Sequence, residues 1–112
     1  MMPEEMEINF FNSRTEKFLK SLDMQARSRS ARAFQTLKIY GNNLGLPLSK
    51  SLGNGLFELR ITGNIHIRFV YAFFENSIWM LHGFVKKTNA ISMHDIAYAR
   101  KQHKLLLHKH SG

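Results

Sequence analysis

The sequence predicts an α+β domain in the order β-α-α-β-β-β-α, a small, mostly antiparallel sheet with helices packed on one face. Three observations predict it. Residues 13–43 carry apolar side chains at helical intervals behind a capping signal. Residues 56–86 are rich in β-branched and aromatic side chains, interrupted twice by short polar turns. A second capping signal at residue 92 opens a last helical segment. With 112 residues the chain has room for a single domain and one core, expected over about residues 6–106. A domain of this size buries about two-thirds of its unfolded surface, enough to fold without staples.

Taken in order, Glu7 to Phe11 partly alternates and reads as a short first strand. Ser13-Arg14-Thr15-Glu16 has capping-box form, with Ser13 as the expected cap of a short helix that buries Phe18, Leu19 and Leu22. A longer helix is expected over about residues 24–43, where Ala31, Phe34, Leu37, Tyr40 and Leu44 recur three or four apart. Arg27, Arg29, Arg32 and Lys38 occupy the rest of its surface, the usual signature of a solvated face. Gly41, Gly45 and Pro47 mark its end. Residues 56–61, 65–74 and 77–86 read as three strands joined by Thr62-Gly63-Asn64 and Glu75-Asn76, and two tight connections in succession mean an antiparallel meander. Ser92-Met93-His94-Asp95 then caps a terminal helix to about Leu106, with Met93, Ile96, Ala97, Ala99 and Leu106 as its apolar positions. The last residues are expected to fray.

Composition narrows the chemistry. Cysteine is absent, which excludes disulfides, zinc–cysteine sites and thiol nucleophiles and fits a reducing, cytoplasmic setting. No signal segment is visible, and the apolar-rich run over residues 69–84 is too short and too polar to span a bilayer, so no membrane association is expected. Sixteen Lys and Arg against eight Asp and Glu give a net charge of +8. Such an excess favours polyanions, because neutralising phosphates releases condensed counterions; improved solubility is the plainer consequence of the same charge.

Strand alternation sorts the meander into two faces. Phe57, Leu59, Ile61, Ile65, Ile67, Phe69 and Tyr71 look inward, which leaves Glu58, Arg60, His66 and Arg68 exposed on the opposite face. Lys86 and Lys87 close the last strand and must point to opposite sides, and Lys50 enters just before the meander. Guanidinium forks and ammonium charges suit the binding of a phosphodiester and of the charge that builds on it during reaction. Cleavage by a 2′-hydroxyl needs in addition a base and an acid, each contributing about 100- to 10,000-fold. Glu58 and His66 can titrate for those roles, with no metal and no cofactor required. An ordinary Glu58–arginine cross-strand pair, worth under ~1 kcal/mol, is the alternative. His82, inside an apolar strand, reads as a core histidine, His94 in a cap turn as a surface residue, and His103, His108 and His110 lack metal-ligand spacing.

Three segments carry a family likeness: residues 50–60 (Lys-Ser-Leu-Gly-Asn-Gly-Leu-Phe-Glu-Leu-Arg), 67–71 (Ile-Arg-Phe-Val-Tyr) and 81–88 (Leu-His-Gly-Phe-Val-Lys-Lys-Thr), followed by Asp95-Ile-Ala-Tyr-Ala-Arg100. In this order and spacing the chain resembles the phage-derived, Gp49-like, HigB-type branch of the RelE/ParE toxin superfamily over about residues 6–105. The resemblance implies a RelE-like fold and the toxin of a type II toxin–antitoxin pair, a metal-independent mRNA endonuclease (mRNA interferase) acting in the ribosomal A site to inhibit translation. It also implies a helix-turn-helix, HigA-like antitoxin as partner. By position it implies phosphate binding and transition-state stabilisation by Arg68, contacts to mRNA or the scissile phosphate by Lys86 and Lys87, and RNA positioning by Arg60 and Lys50. Leu56 and Glu58 stand where RelE itself carries lysines, no tyrosine occupies its RNA-stacking position near Met93 and His94, and a proline common before the last helix is missing. ParE-like relatives that inhibit DNA gyrase, or an inactive phage-derived protein that only binds an antitoxin, are the alternatives the likeness leaves open.

Overall fold

The computed structural model describes residues 5–110. Its elements are β1 (Glu7–Phe10), α1 (Ser13–Ser21), α2 (Met24–Tyr40) with a 3-10 turn at Gly41–Asn43, β2 (Ser49–Gly53), β3 (Leu56–Ile61), β4 (His66–Phe74), β5 (Ser77–Lys86) and α3 (Met93–His110). They form one five-stranded sheet in the order β1-β5-β4-β3-β2. The pairs β2–β3, β3–β4 and β4–β5 are antiparallel, as the meander requires, while β1 adds itself parallel to β5.

β2 is the one strand the sequence did not announce. Ser-Lys-Ser-Leu-Gly has little strand propensity, and the order is therefore β-α-α-β-β-β-β-α. Its signal lies in the turn instead: Asn54-Gly55, both at positive φ, is a favoured hairpin dipeptide and folds Lys50 directly opposite Glu58. Glu75-Asn76, also both at positive φ, closes the β4–β5 hairpin as expected.

The helices do not share one face. α1 and α2 pack Leu22, Ala26, Phe34 and Leu37 against Leu59, Ile61, Ile67, Phe69, Tyr71, Ile78 and Met80. On the opposite face, α3 lays Ala99 and Leu106 against Leu56, Val70, Ala72, Leu81 and Phe84. The reason is written in β4. From Phe69 to Phe74 both parities are apolar, the mark of a strand covered on both sides; only its first half alternates with His66 and Arg68. At the centre of the first layer Phe69 receives the edges of Phe18 and Phe34, at centroid distances of 5.6 and 5.0 Å. Gly83 permits this approach, since a Cβ there would lie 2.5 Å from the Phe18 ring. Tyr71 hydrogen-bonds Ser49 at 2.5 Å, and burial raises its phenol pKa despite that bond.

Local signals shifted by small amounts. Asn12, not Ser13, caps α1: its Oδ1 accepts from the Thr15 N–H (2.8 Å) and hydroxyl (2.7 Å), and its Nδ2 donates to Leu81 O (2.9 Å) and Gln102 Oε1 (3.0 Å). One side chain thus joins α1, β5 and α3. α2 turns Ala31 and Tyr40 to solvent and buries Ala26 and Ser30, capped by Asp23. Met93 and Ala97 likewise face outward on α3, which continues through Lys109 and His110 where fraying was expected.

Candidate functional site

Cross-strand register arranges the α3-side face as rows. Lys50, Glu58, Val70 and His82 stand opposite one another across β2, β3, β4 and β5; Arg60, Arg68 and Phe84 form the next row; His66 and Lys86 pair in the last. Residues so opposed have Cβ atoms about 4.5–5.5 Å apart, so side chains in a row touch and those in adjacent rows are within reach. The sheet therefore gathers Lys50, Glu58, Arg60, His66, Arg68 and Lys86 on one face. Lys87 lies beyond the end of β5 and is exposed.

The two central members are not exposed, contrary to the sequence expectation. Glu58 is 3% and Arg68 4% exposed, on the face that carries α3 and that one-sided packing would have left open. Arg60 opposite Arg68 sets two like charges side by side, a repulsive arrangement that a shared anion relieves. Glu58 supplies it: Oε1 lies 3.8 Å from Arg68 Nε and 3.9 Å from Arg60 Nε, ion-pair distances beyond hydrogen-bond range. Arg68 Nη1 donates to Ile67 O at 3.0 Å, while its buried Nε has no hydrogen-bond partner among the described residues. Burial lowers the Arg68 pKa, Glu58 opposes that and Arg60 adds to it; an arginine remains charged regardless. The rim is open: His66 and Lys50 are exposed, and Arg60 and Lys86 half-buried.

A second constellation, missed by sequence reasoning, adjoins the first. His82 is indeed buried (3% exposed), but it is not an isolated core ring. Its Nε2 lies 2.7 Å from Asp95 Oδ1, and Asp95 Oδ2 accepts from the Ser92 hydroxyl at 2.7 Å. Ser92 Oγ also accepts the Asp95 N–H at 3.0 Å, so the expected capping box of α3 is what aims the carboxylate at β5. The His82 ring stacks on Phe84 (5.1 Å) and abuts Tyr98 (4.7 Å), over which the Arg14 guanidinium sits at 4.4 Å. Burial lowers the His82 pKa although Asp95 pulls the other way. Burial also pushes Asp95 upward, yet the hydrogen bonds from His82 and Ser92 outweigh it and its pKa ends lowered. A neutral His82 beside an ionised Asp95 fixes the tautomer: Nε2–H donates, and Nδ1 is left as a bare acceptor, without a partner among the described residues. The sequence signals were Ser92-x-x-Asp95 and a histidine in an apolar strand, but nothing local says that they meet.

Among the described residues no group of three His, Asp or Glu could hold a metal ion, and no helix is long and apolar enough to cross a membrane. What the arrangement offers an anion is positive charge: Lys50, Arg60, Lys86 and His66 share the face and neighbouring rows of Arg68, whose buried Nε has no hydrogen-bond partner among the described residues. In comparisons with known proteins, the family described as phage-derived protein Gp49-like (DUF891) matches residues 17–104, from α1 through most of α3 and including every member of both constellations except Arg14. No curated protein matches the chain.

Proposed function

Because the chain belongs to the phage-derived Gp49-like family, a RelE/HigB-like toxin family, we propose that it is the toxin of a type II toxin–antitoxin pair and cleaves mRNA on the ribosome. The observation that carries this reading is the buried Arg68, charged, lacking one hydrogen bond and held beside a carboxylate that comes no nearer than ion-pair distance. A buried ionic donor left unfilled costs more than a neutral one, and a phosphodiester held at the open rim beside Arg60 and Lys86 brings an anion against the same guanidinium.

In the proposed reaction the scissile phosphate seats on Arg68, with Arg60 and Lys86 on its other oxygens and Lys50 and Lys87 along the flanking backbone. The 2′-oxygen attacks phosphorus while a base takes its proton; the P–O5′ bond breaks and an acid returns a proton to the leaving 5′-oxygen. Charge accumulating on the phosphoryl oxygens is met by guanidiniums already in place. Exposed His66, paired across the strand with Lys86, is reachable by substrate and takes the proton-transfer role. Glu58, behind the arginines, holds their orientation. A helix-turn-helix antitoxin is the proposed neutralising partner.

Primer extension on a translated message, with Arg68→Lys beside the wild type, tests this. Lysine keeps the charge but loses the fork, and cleavage is expected to fall by roughly 100- to 1,000-fold. Undiminished cutting by the variant would overturn the assignment of Arg68. Intact message with wild-type protein, together with blocked DNA supercoiling, would overturn the nuclease itself.

A further inference from the structure

The last helix is held to the body of the protein differently from the other two. α3 packs chiefly on β5, and among its described residues Ala99, Gln102 and Leu106 are the buried ones. Its apolar layer, Ala99 and Leu106 against Leu56, Val70, Ala72, Leu81 and Phe84, is separate from the layer that holds α1 and α2. Side-chain hydrogen bonds add to it: Gln102 Oε1 accepts from Asn12 at 3.0 Å, and Asp95 Oδ1 accepts from His82 at 2.7 Å. The first does not depend on protonation. The second does.

With α3 in place the neutral His82 ring donates through Nε2, and its buried Nδ1 has no hydrogen-bond partner among the described residues. A second proton turns Nδ1 into an ionic donor in the same dry position, and an unfilled ionic donor is the more expensive kind. Burial therefore disfavours that proton while the helix is in place, and the pull of Asp95 does not reverse it. The other charges around the ring come from several elements. From α1, Arg14, seated over the Tyr98 ring, opposes the proton, and so does His94 on α3. Tyr98 meets His82 ring against ring at 4.7 Å. On the sheet, uncharged Val70 stands opposite His82, Glu58 and Lys50 of opposite sign lie farther along the same row, and Arg68 stands one row on, opposite Phe84.

We propose that His82 and Asp95 form an acid-operated latch on α3: a proton taken up from solvent at His82 Nδ1 releases the helix from β5, while the layer built on α1 and α2 stays folded. In the released form water solvates both the imidazolium and Asp95. The apolar surface given up is confined to one layer, because Phe18, Phe34 and Phe69 belong to the other and keep their mutual contacts. Such an opening is smaller than global unfolding and separable from it. The released ring binds a proton near the ordinary 6.5 and the latched ring only at lower pH, so release grows as the pH falls from 6.5, by up to about tenfold per pH unit. The latch stands on the fold alone and does not rest on the RNA-cleaving reading.

Amide hydrogen exchange of the full chain, read residue by residue by NMR at about pH 7.5 and about pH 5 and corrected for intrinsic rates, tests this. Protection at Ala99, Gln102 and Leu106 is expected to fall at least about fivefold toward the lower pH, and no more than about thirtyfold, the limit for one proton. Low urea should leave that exchange unchanged. Leu37, Phe69 and Tyr71 should stay better protected and respond to urea, as global unfolding does. His82→Gln keeps an N–H donor for Asp95 but cannot take up the proton, so its α3 protection should vary less than about twofold over the same range. Wild-type α3 protection that does not change with pH would overturn the latch. So would equal protection and equal urea dependence of α3 and the core at the lower pH, since the helix would then leave only when the whole chain unfolds. An undiminished acid loss in folded His82→Gln would assign the proton to another group and overturn it as well. The wild-type measurements decide by themselves if that variant does not fold.

Discussion

Two neighbouring constellations share the α3 side of the sheet, and each contains one buried nitrogen that lacks a hydrogen-bond partner among the described residues: Arg68 Nε and His82 Nδ1. They are not equivalent. The His82 nitrogen is a lone pair on a neutral ring whose other nitrogen is bonded to Asp95, and Asp95 is bonded in turn to Ser92. An unfilled neutral acceptor costs less than an unfilled ionic donor, and the bonded side of the ring clamps α3 to β5. The Arg68 nitrogen is a charged donor whose Glu58 carboxylate stands at 3.8 Å, beyond hydrogen-bond range, which is the gap that the proposed phosphate site rests on. The same face thus carries a bonded His82–Asp95–Ser92 chain and an arginine cluster held only at ion-pair distance, and the degree of hydrogen-bond satisfaction separates them where burial does not.

Single substitutions perturb the two constellations independently. Arg68→Lys should lose the roughly 100- to 1,000-fold in cleavage given above with little change in unfolding free energy. His82→Ala should do the reverse: it strands Asp95 and costs roughly 1–3 kcal/mol in urea unfolding, while message cutting by the folded protein persists. Loss of cutting in a fully folded His82→Ala protein would place His82 in the reaction and erase the distinction.

The His82 constellation also responds to pH, by a smaller amount. Burial holds the folded His82 pKa below 6.5, so the unfolded chain binds a proton that the folded protein refuses. Stability is full above pH 6.5 and declines as the pH falls from there through the lowered folded value; Asp95, also lowered, extends the decline below its ordinary 3.8. His82→Gln should flatten the upper part of that profile, measured as urea midpoint against pH. An unaltered slope would mean that His82 titrates as freely folded as unfolded. Smallest of all, Asn12→Ala should cost about 1–2 kcal/mol through the lost cap of α1 and its ties to Leu81 and Gln102, without touching cleavage.

Much of this molecule was legible before folding. The meander, the two turns and the common parity of Glu58, Arg60, His66 and Arg68 follow from alternation and turn chemistry alone. The capping box at Ser92 was visible and correct; the one at Ser13 was displaced by a residue because Asn12 has partners on β5 and α3 that no local motif records. β2 was invisible because edge-strand pairing is supplied by the neighbour and by Asn54-Gly55, not by its own composition.

By itself the sequence determined which residues share a strand face, because a period of two is a local property of the backbone. It could not determine which face α3 covers. That choice is made by apolar area: Val70, Ala72 and Leu81 are buried only when a helix lies on their side, and the helix that does so carries Asp95 to His82. Glu58 and Arg68 lie buried on the face that carries α3, and that burial, with the unbonded Nε that marks the candidate site, is a tertiary fact that alternation alone does not give.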